Sequence, residues 1–538
     1  MAEVTRREFV AGLSLAGLAP AAAQAAAGAQ PAGRASERLF TDEQLDLLAT
    51  PLSIHLERAI KARDTSRIDW ITAQMDMERL AIYDSYLQWV AVLQTFIIQE
   101  SSEARHDDAL RQMGEHSFRE FVLAYKGLTF RDHVDAVARR LRAAGSTFRV
   151  EDLPDRLRFR LDPWGGVVRQ WRAPAAWQAT APRQRVGDEY VYQNFGAYSA
   201  PTGLAVLGRG RPLTQGRDNL PCFFATEILF LEILAIELLG YPIAVITLPR
   251  DADDVAYLDV YKDLSKIPAE AYSRVGTAKP ASGLPDWPAS APFTAEELAV
   301  VGVPPSIRVA RAAGKGDWAQ LQAIVETMDD ELVRAKDSLG ILINGLLTWI
   351  ARNLGEAQAE RALVRTAEVV MSPYVDAVRG LKIKEAIEMW AMVWRSHGST
   401  FNIEEHDDVF VFRGRPLGAC GRMWATRYQP KIERISESRI RYPTFGSYNE
   451  PMCCHLMREP RGITYGKTSY PIYSTHCHML HEIYAIDQLG YPLWVELHPL
   501  HDRDGETVHI HYKDPAKWPV DAYTRVGRSK PAVIPSRT

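Results

Sequence analysis

Five short strings occur twice in this chain, in the same order, and that recurrence limits the fold more than any other feature. Gly145-Ser146-Thr147-Phe148 returns as Gly398-Ser399-Thr400-Phe401, and Phe195-Gly196-Ala197-Tyr198 as Phe445-Gly446-Ser447-Tyr448. Leu239-Gly240-Tyr241-Pro242 returns as Leu489-Gly490-Tyr491-Pro492, and Tyr261-Lys262-Asp263 as Tyr512-Lys513-Asp514. Ala271-Tyr272-Ser273-Arg274-Val275-Gly276 returns as Ala522-Tyr523-Thr524-Arg525-Val526-Gly527. The offset stays between 250 and 253 residues. That is far longer than a solenoid repeat, so the pattern predicts two tandem copies of one domain.

Local patterning fills in each copy. Phe40 to Ser66 reads as a helical entry, and Asp69 to about Ala144 as helices that Gly145 stops. Alternation through Thr147–Val150 and Leu157–Leu161 predicts strands, as do Ile243–Leu248 and Ala256–Tyr261. An apolar helix is expected from Phe224 to Leu239, ended by Gly240-Tyr241-Pro242. Each copy is therefore a helical half followed by a small α+β half, a helix with a mixed or antiparallel sheet, and the class is α+β. The expected organisation is a leader over 1–30, a degenerate, structural N-terminal repeat over 40–278, a proline-rich linker over 279–315 and a site-bearing C-terminal repeat over 316–538.

The leader is an address. Thr5-Arg6-Arg7-Glu8-Phe9-Val10, a weakly apolar run from Ala11 to Ala23, and small residues with a cleavage point after Ala23-Gln24-Ala25 resemble a twin-arginine export signal. The expected partner is the twin-arginine translocation machinery, and the expected compartment is the periplasm. The best apolar run elsewhere, Phe223 to Ile246, carries Glu227, Glu232 and Glu237, so no stable membrane span is expected. A net charge of −4 with no long basic stretch argues against a nucleic-acid partner. No Gly-x-Ser-x-Gly elbow or dinucleotide fingerprint is present, so no nucleotide cofactor is expected. Five cysteines in 538 residues are too few for a disulfide scaffold.

Laid against each other, the copies separate scaffold from chemistry. Glu482 matches Glu232, Tyr448 matches Tyr198 and Arg422 matches Arg169, as shared scaffold would. The reactive residues differ. His476, Cys477, His478 and His481 face Thr226, Glu227, Ile228 and Leu231; Cys453, Cys454 and His455 face Gly203, Leu204 and Ala205; His397 faces Ala144 and Cys420 faces Val167.

His476, Cys477, His478, His481 and Glu482 fall within two helical turns, where His478/Glu482 and Cys477/His481 share faces at i,i+4. Imidazole and thiolate at this spacing supply ligands for zinc, with copper or iron as alternatives. The candidate metal ligands are His476, Cys477, His478, His481, Cys453, Cys454 and His455; adjacent cysteines chelate one ion poorly, so one of Cys453 and Cys454 is expected to act. Without a metal, Cys477 is the candidate nucleophile, with His476, His478 and Glu482 as its catalytic companions. Some of these groups would be ordinary polar core or surface residues. His509 and His511 share one face of an expected strand, read first as an exposed face and second as part of a metal site. His406-Asp407-Asp408 reads as a solvated acidic turn.

The second copy resembles the L-2-amino-thiazoline-4-carboxylic acid hydrolase-like family and, more distantly, 4-vinyl reductase-like domains. The resemblance rests on a helical half, strands, a helix bearing His476-Cys477 ahead of Leu489-Gly490-Tyr491-Pro492, and closing strands that end in Tyr512-Lys513-Asp514. The loop Arg415 to Arg422 is similar to a Cys/Gly-rich loop of such proteins, with Cys420 displaced, and no role is assigned to Cys420. The export signal and the duplication depart from the family, so its substrate is not carried over. The expected function is a periplasmic hydrolase or lyase acting on a small organic molecule through a His/Cys site, metal-assisted or Cys-dependent. A non-catalytic metal- or ligand-binding protein is the alternative, and a redox protein using Cys453/Cys454 is a third reading.

Overall fold

The computed structural model describes residues 38–173, 183–186, 189–192, 194, 196–198, 203–415, 418–425, 431–444, 454–498 and 505–534. The leader, Cys453 and Tyr448 lie outside the described residues. The fold is α+β, as expected. No described helix is long and apolar enough to cross a membrane.

Helix boundaries follow the capping chemistry of the sequence. Thr41 caps Asp42–Ala49 by accepting from the Gln44 amide, and Thr129 caps Phe130–Ala143 by accepting from the Asp132 amide. Gly490, at φ +84°, closes the helix Tyr484–Leu489 in the left-handed conformation that a side chain would disfavour. Within the proline-rich stretch, Thr294 and Glu297 form a reciprocal cap that starts a short helix, Ala295–Val301.

The strands are β1 (Phe148–Asp152), β2 (Arg156–Leu161), β3 (Val245–Thr247), β4 (Ala256–Tyr261), β5 (Phe401–Glu405), β6 (Val409–Gly414), β7 (Val495–Leu497) and β8 (Thr507–Tyr512). They form two four-stranded antiparallel sheets, ordered β1-β2-β4-β3 and β5-β6-β8-β7. Each sheet thus seats its last strand beside its second, with the third strand at the edge.

The chain divides into two compact units. One comprises Met1–Ile82, Val309–Glu326 and Gly355–Thr538, and the other Tyr83–Arg308 and Thr327–Leu354. The first, called here the C-terminal unit, thus includes the entry helices of residues 42–62. Its β5 end is tied to them: the Glu405 carboxylate accepts from the amides of Leu39 and Phe40 at 2.8 and 3.0 Å. Arg395 reaches the Leu48 carbonyl and Glu78, both at 2.6 Å.

In the C-terminal unit the helix Ile383–Ser396 covers one sheet face. Trp390 and Trp394 project from it against Trp494, His509 and His511. His509 and His511 are each 1% exposed, which overturns the exposed-face expectation. They do share a face, as strand alternation requires; the indole rings above them exclude solvent.

The helix expected over 224–239 is interrupted by a π-helical turn, Leu229–Ile233, and its counterpart by another, His478–Ile483. Hydrogen bonds there run to the fifth residue; His478 and Glu482 still meet the same side chain, Tyr465, whose ring lies 3.7 Å from that of His478 and whose hydroxyl donates to Glu482 at 2.5 Å.

Candidate functional site

Two short helices of the C-terminal unit bring three ligand atoms together. Cys420 lies on Gly418–Trp424, and His476 and Cys477 end Thr475–Cys477, just before the π turn. The first helix is started by Gly418 at φ +63°, where a Cβ would lie 3.2 Å from the Trp394 ring. The Gly418 amide donates to Ser399 Oγ at 2.7 Å, and buried Arg422 donates to the His397 carbonyl at 2.7 Å, so this helix is anchored to the entry of β5.

Cys420 Sγ lies 3.7 Å from Cys477 Sγ and 3.8 Å from His476 Nε2, and Cys477 Sγ lies 3.5 Å from that same nitrogen. These are the donor atoms that gather into a potential metal-holding group among the described residues. Cys477 and His476 are buried, and Cys420 is partly exposed. His476 Nδ1 donates to the Tyr473 carbonyl. Since a carbonyl only accepts, this contact assigns the proton to Nδ1 and turns Nε2 toward the sulfurs.

The electrostatics are unequal between the thiols. The hydrogen bond from Cys477 pulls the Cys420 thiol down to about 5, against burial and helped by His476. The same contact, reinforced by burial, holds the Cys477 thiol well above its ordinary value. Burial opposes charge on His476, but the neighbouring Cys420 raises it above its usual range.

Glu496, on β7, pairs across the sheet with His509 on β8, Oε2 to Nε2 3.5 Å, and its charge helps hold the Cys477 thiol up. Burial works against this carboxylate, yet the His509 contact holds it well below its usual range. His509 is stacked on Trp494 at 5.4 Å and meets the edge of Trp394 at 4.4 Å. Its Nδ1 and the Nδ1 atoms of His481 and His498 are buried with no hydrogen-bond partner among the described residues.

The other anticipated residues go elsewhere. His478 is enclosed: Nδ1 donates to the Ile463 carbonyl at 2.6 Å and Nε2 accepts from Tyr470 at 3.0 Å, and burial lowers it to about 3. His481 packs on Trp494 at a tilt of 31°, 4.0 Å between ring centres, and burial drives it well below its usual value. Glu482 accepts from Tyr465 at 2.5 Å and from the Glu496 amide at 3.2 Å; burial pushes it up to about 7 with Arg525 opposing. Glu232 binds the Ile246 amide and Arg274 in the other unit, the same scaffold pattern. His455 contacts Glu356 at 2.7 Å, and the Cys454 thiol reaches the His455 carbonyl at 3.6 Å. His406, Asp407 and Asp408 are exposed.

Cys420 and Glu496 were missed. The comparison between copies sets Cys420 against Val167 but gives it no role; Glu496, at the position that the 250-residue offset sets against Ile246, is not singled out there. No family model matches the chain, and neither the curated proteins nor the solved structures hold a match for it.

Proposed function

We propose that the C-terminal unit carries a transition-metal centre, zinc first, held by Cys420, His476 and Cys477 and used for hydrolysis or lysis of a small organic molecule. The observation that carries this is the triangle of donor atoms. A tetrahedral zinc with Zn–S of about 2.3 Å and Zn–N of about 2.0 Å sets its sulfurs about 3.8 Å apart and each about 3.5 Å from the nitrogen. The sulfur–sulfur edge, 3.7 Å, and the Cys477–His476 edge, 3.5 Å, fit that figure, and the Cys420–His476 edge, 3.8 Å, is slightly longer. The carbonyl contact on His476 Nδ1 is the usual support for a ligating imidazole.

Three protein ligands leave a fourth position, where a bound metal would polarise a substrate or lower the pKa of water. Beside it, the Glu496 charge acts on Cys477. The resemblance to hydrolases of small heterocycles supports the same class, and the repeated strings with matched sheet orders support a duplication that kept chemistry in one copy. The twin-arginine segment supports export to the periplasm after folding.

Elemental analysis of purified protein tests the metal. About one equivalent is expected in the wild type and none in Cys420→Ser or His476→Ala. Metal-free wild type would end this reading. A second reading draws on the hydrogen bond from Cys477 to Cys420: without a metal, Cys420 is the nucleophile and His476 its proton partner.

A further inference from the structure

The geometry points to a reversible disulfide between Cys420 and Cys477 as a modification site of this protein. Their sulfurs are 3.7 Å apart, and a disulfide needs about 2.05 Å, an approach that side-chain rotation and small helix shifts supply. No backbone group or third side chain has to be expelled from the line between them, because the two thiols already contact each other. The bond does not depend on a metal; only its effect on metal retention rests on the reading above.

Reaction with a low-molecular-weight disulfide follows from exposure. Cys420 is the more accessible of the pair, and Cys477 is 3% exposed. The Cys420 thiolate attacks one sulfur of the small disulfide, and the other sulfur leaves as a thiolate. Cys477 gives its proton to that thiolate, and its sulfur attacks Cys420 Sγ, expelling the second small thiolate. The small disulfide gains two electrons and the cysteine pair loses two. Closure withdraws both sulfurs from the donor triangle and leaves His476 alone, so oxidation and metal binding exclude each other.

Cys222 provides an internal control. It is buried against Thr95, Tyr198 and the Ala91 carbonyl, and burial pushes its thiol up to about 12. It should remain reduced.

The test incubates the full chain in glutathione redox buffers, with and without a chelator. Remaining thiols are then alkylated, the peptides mapped, and metal content recorded in parallel. We expect a Cys420–Cys477 cross-link in the chelated sample, loss of both alkylation marks, and full recovery with dithiothreitol. Zinc-loaded protein should cross-link at least tenfold more slowly. Cys477→Ser should instead keep a stable mixed disulfide on Cys420. Two reduced thiols at every buffer ratio in metal-free protein, or a cross-link confined to Cys453 and Cys454, would overturn the inference. A cross-link in protein that never holds metal would sustain it while ending the metal reading.

Discussion

Glu496 and His509 face each other on neighbouring strands at the place where the other sheet pairs Ile246 with Leu258. One scaffold position thus holds a carboxylate–imidazole pair in one unit and an aliphatic pair in the other. The pair is 2% and 1% exposed, so each member depends on its partner for compensation. His509→Leu alone should cost about 2–4 kcal/mol, because it removes the imidazole that does most to compensate a buried carboxylate. Adding Glu496→Ile should restore most of that loss. Urea unfolding of the singles and the double reads the coupling, and simple additivity would contradict it.

If the proposed metal centre forms, the Glu496 charge beside Cys477 gives this residue a separable effect on metal affinity. Glu496→Gln should weaken binding about 10–100-fold while keeping the stoichiometry, as losses of outer-shell support do. Competition with a chromophoric chelator measures this, and an unchanged affinity would detach Glu496 from the metal centre.

The thiols should differ in reactivity. In metal-free, reduced protein, iodoacetamide should modify Cys420 at a rate that holds down to a pH of about 5 and falls below it. Cys222 should stay unmodified at neutral pH. Because the folded pKa of Cys420 is depressed, its thiolate contributes stability that is present above the ordinary thiol pKa of 9.0 and is lost as pH falls through about 5. Peptide mapping across a pH series gives both rates.

His478 should prove structural. Both its ring nitrogens are engaged, so His478→Ala should cost about 2–4 kcal/mol and leave metal content intact. Unfolded His478 binds a proton below its ordinary 6.5, whereas the folded imidazole stays neutral to about 3. The unfolded state therefore binds more protons between those values, and stability falls as pH drops across them. Denaturant titrations at several pH values, with His478→Gln beside the wild type, isolate this share; metal loss in either variant would reassign the residue.

Gly418 sets the start of the helix that carries Cys420. Gly418→Ala places a Cβ at positive φ and against Trp394, so it should cost about 1–2 kcal/mol and weaken metal binding together. Thermal unfolding and chelator competition check both effects, and a stability loss with unaltered affinity would separate Gly418 from the site.

Much of the architecture was legible because periodicity and capping are local. The strands 148–152 and 256–261, the stop at Gly145 and the close at Gly490 all rest on residues near each other in sequence. The site was half legible. His476 and Cys477 are adjacent and drew notice together, whereas Cys420 joins them across 57 residues, a distance no spacing rule spans. The π turn at His478–Ile483 was not legible, since a change from fourth- to fifth-residue hydrogen bonding leaves no mark in residue type. The buried faces of His509 and His511 came from Trp390 and Trp394, more than a hundred residues upstream.

The interleaving of the two units has a consequence for biosynthesis. The unit that holds the donor triangle draws on residues 38–82, made early, and on β8, which ends at Tyr512. Glu405, which receives the Leu39 and Phe40 amides, is translated more than three hundred and sixty residues after them. The Leu39 and Phe40 amides therefore gain this acceptor only after residue 405 has been made. A metal ion held by Cys420, His476 and Cys477 would need residues that are all made after the last strand of the other unit's sheet, which ends at Tyr261.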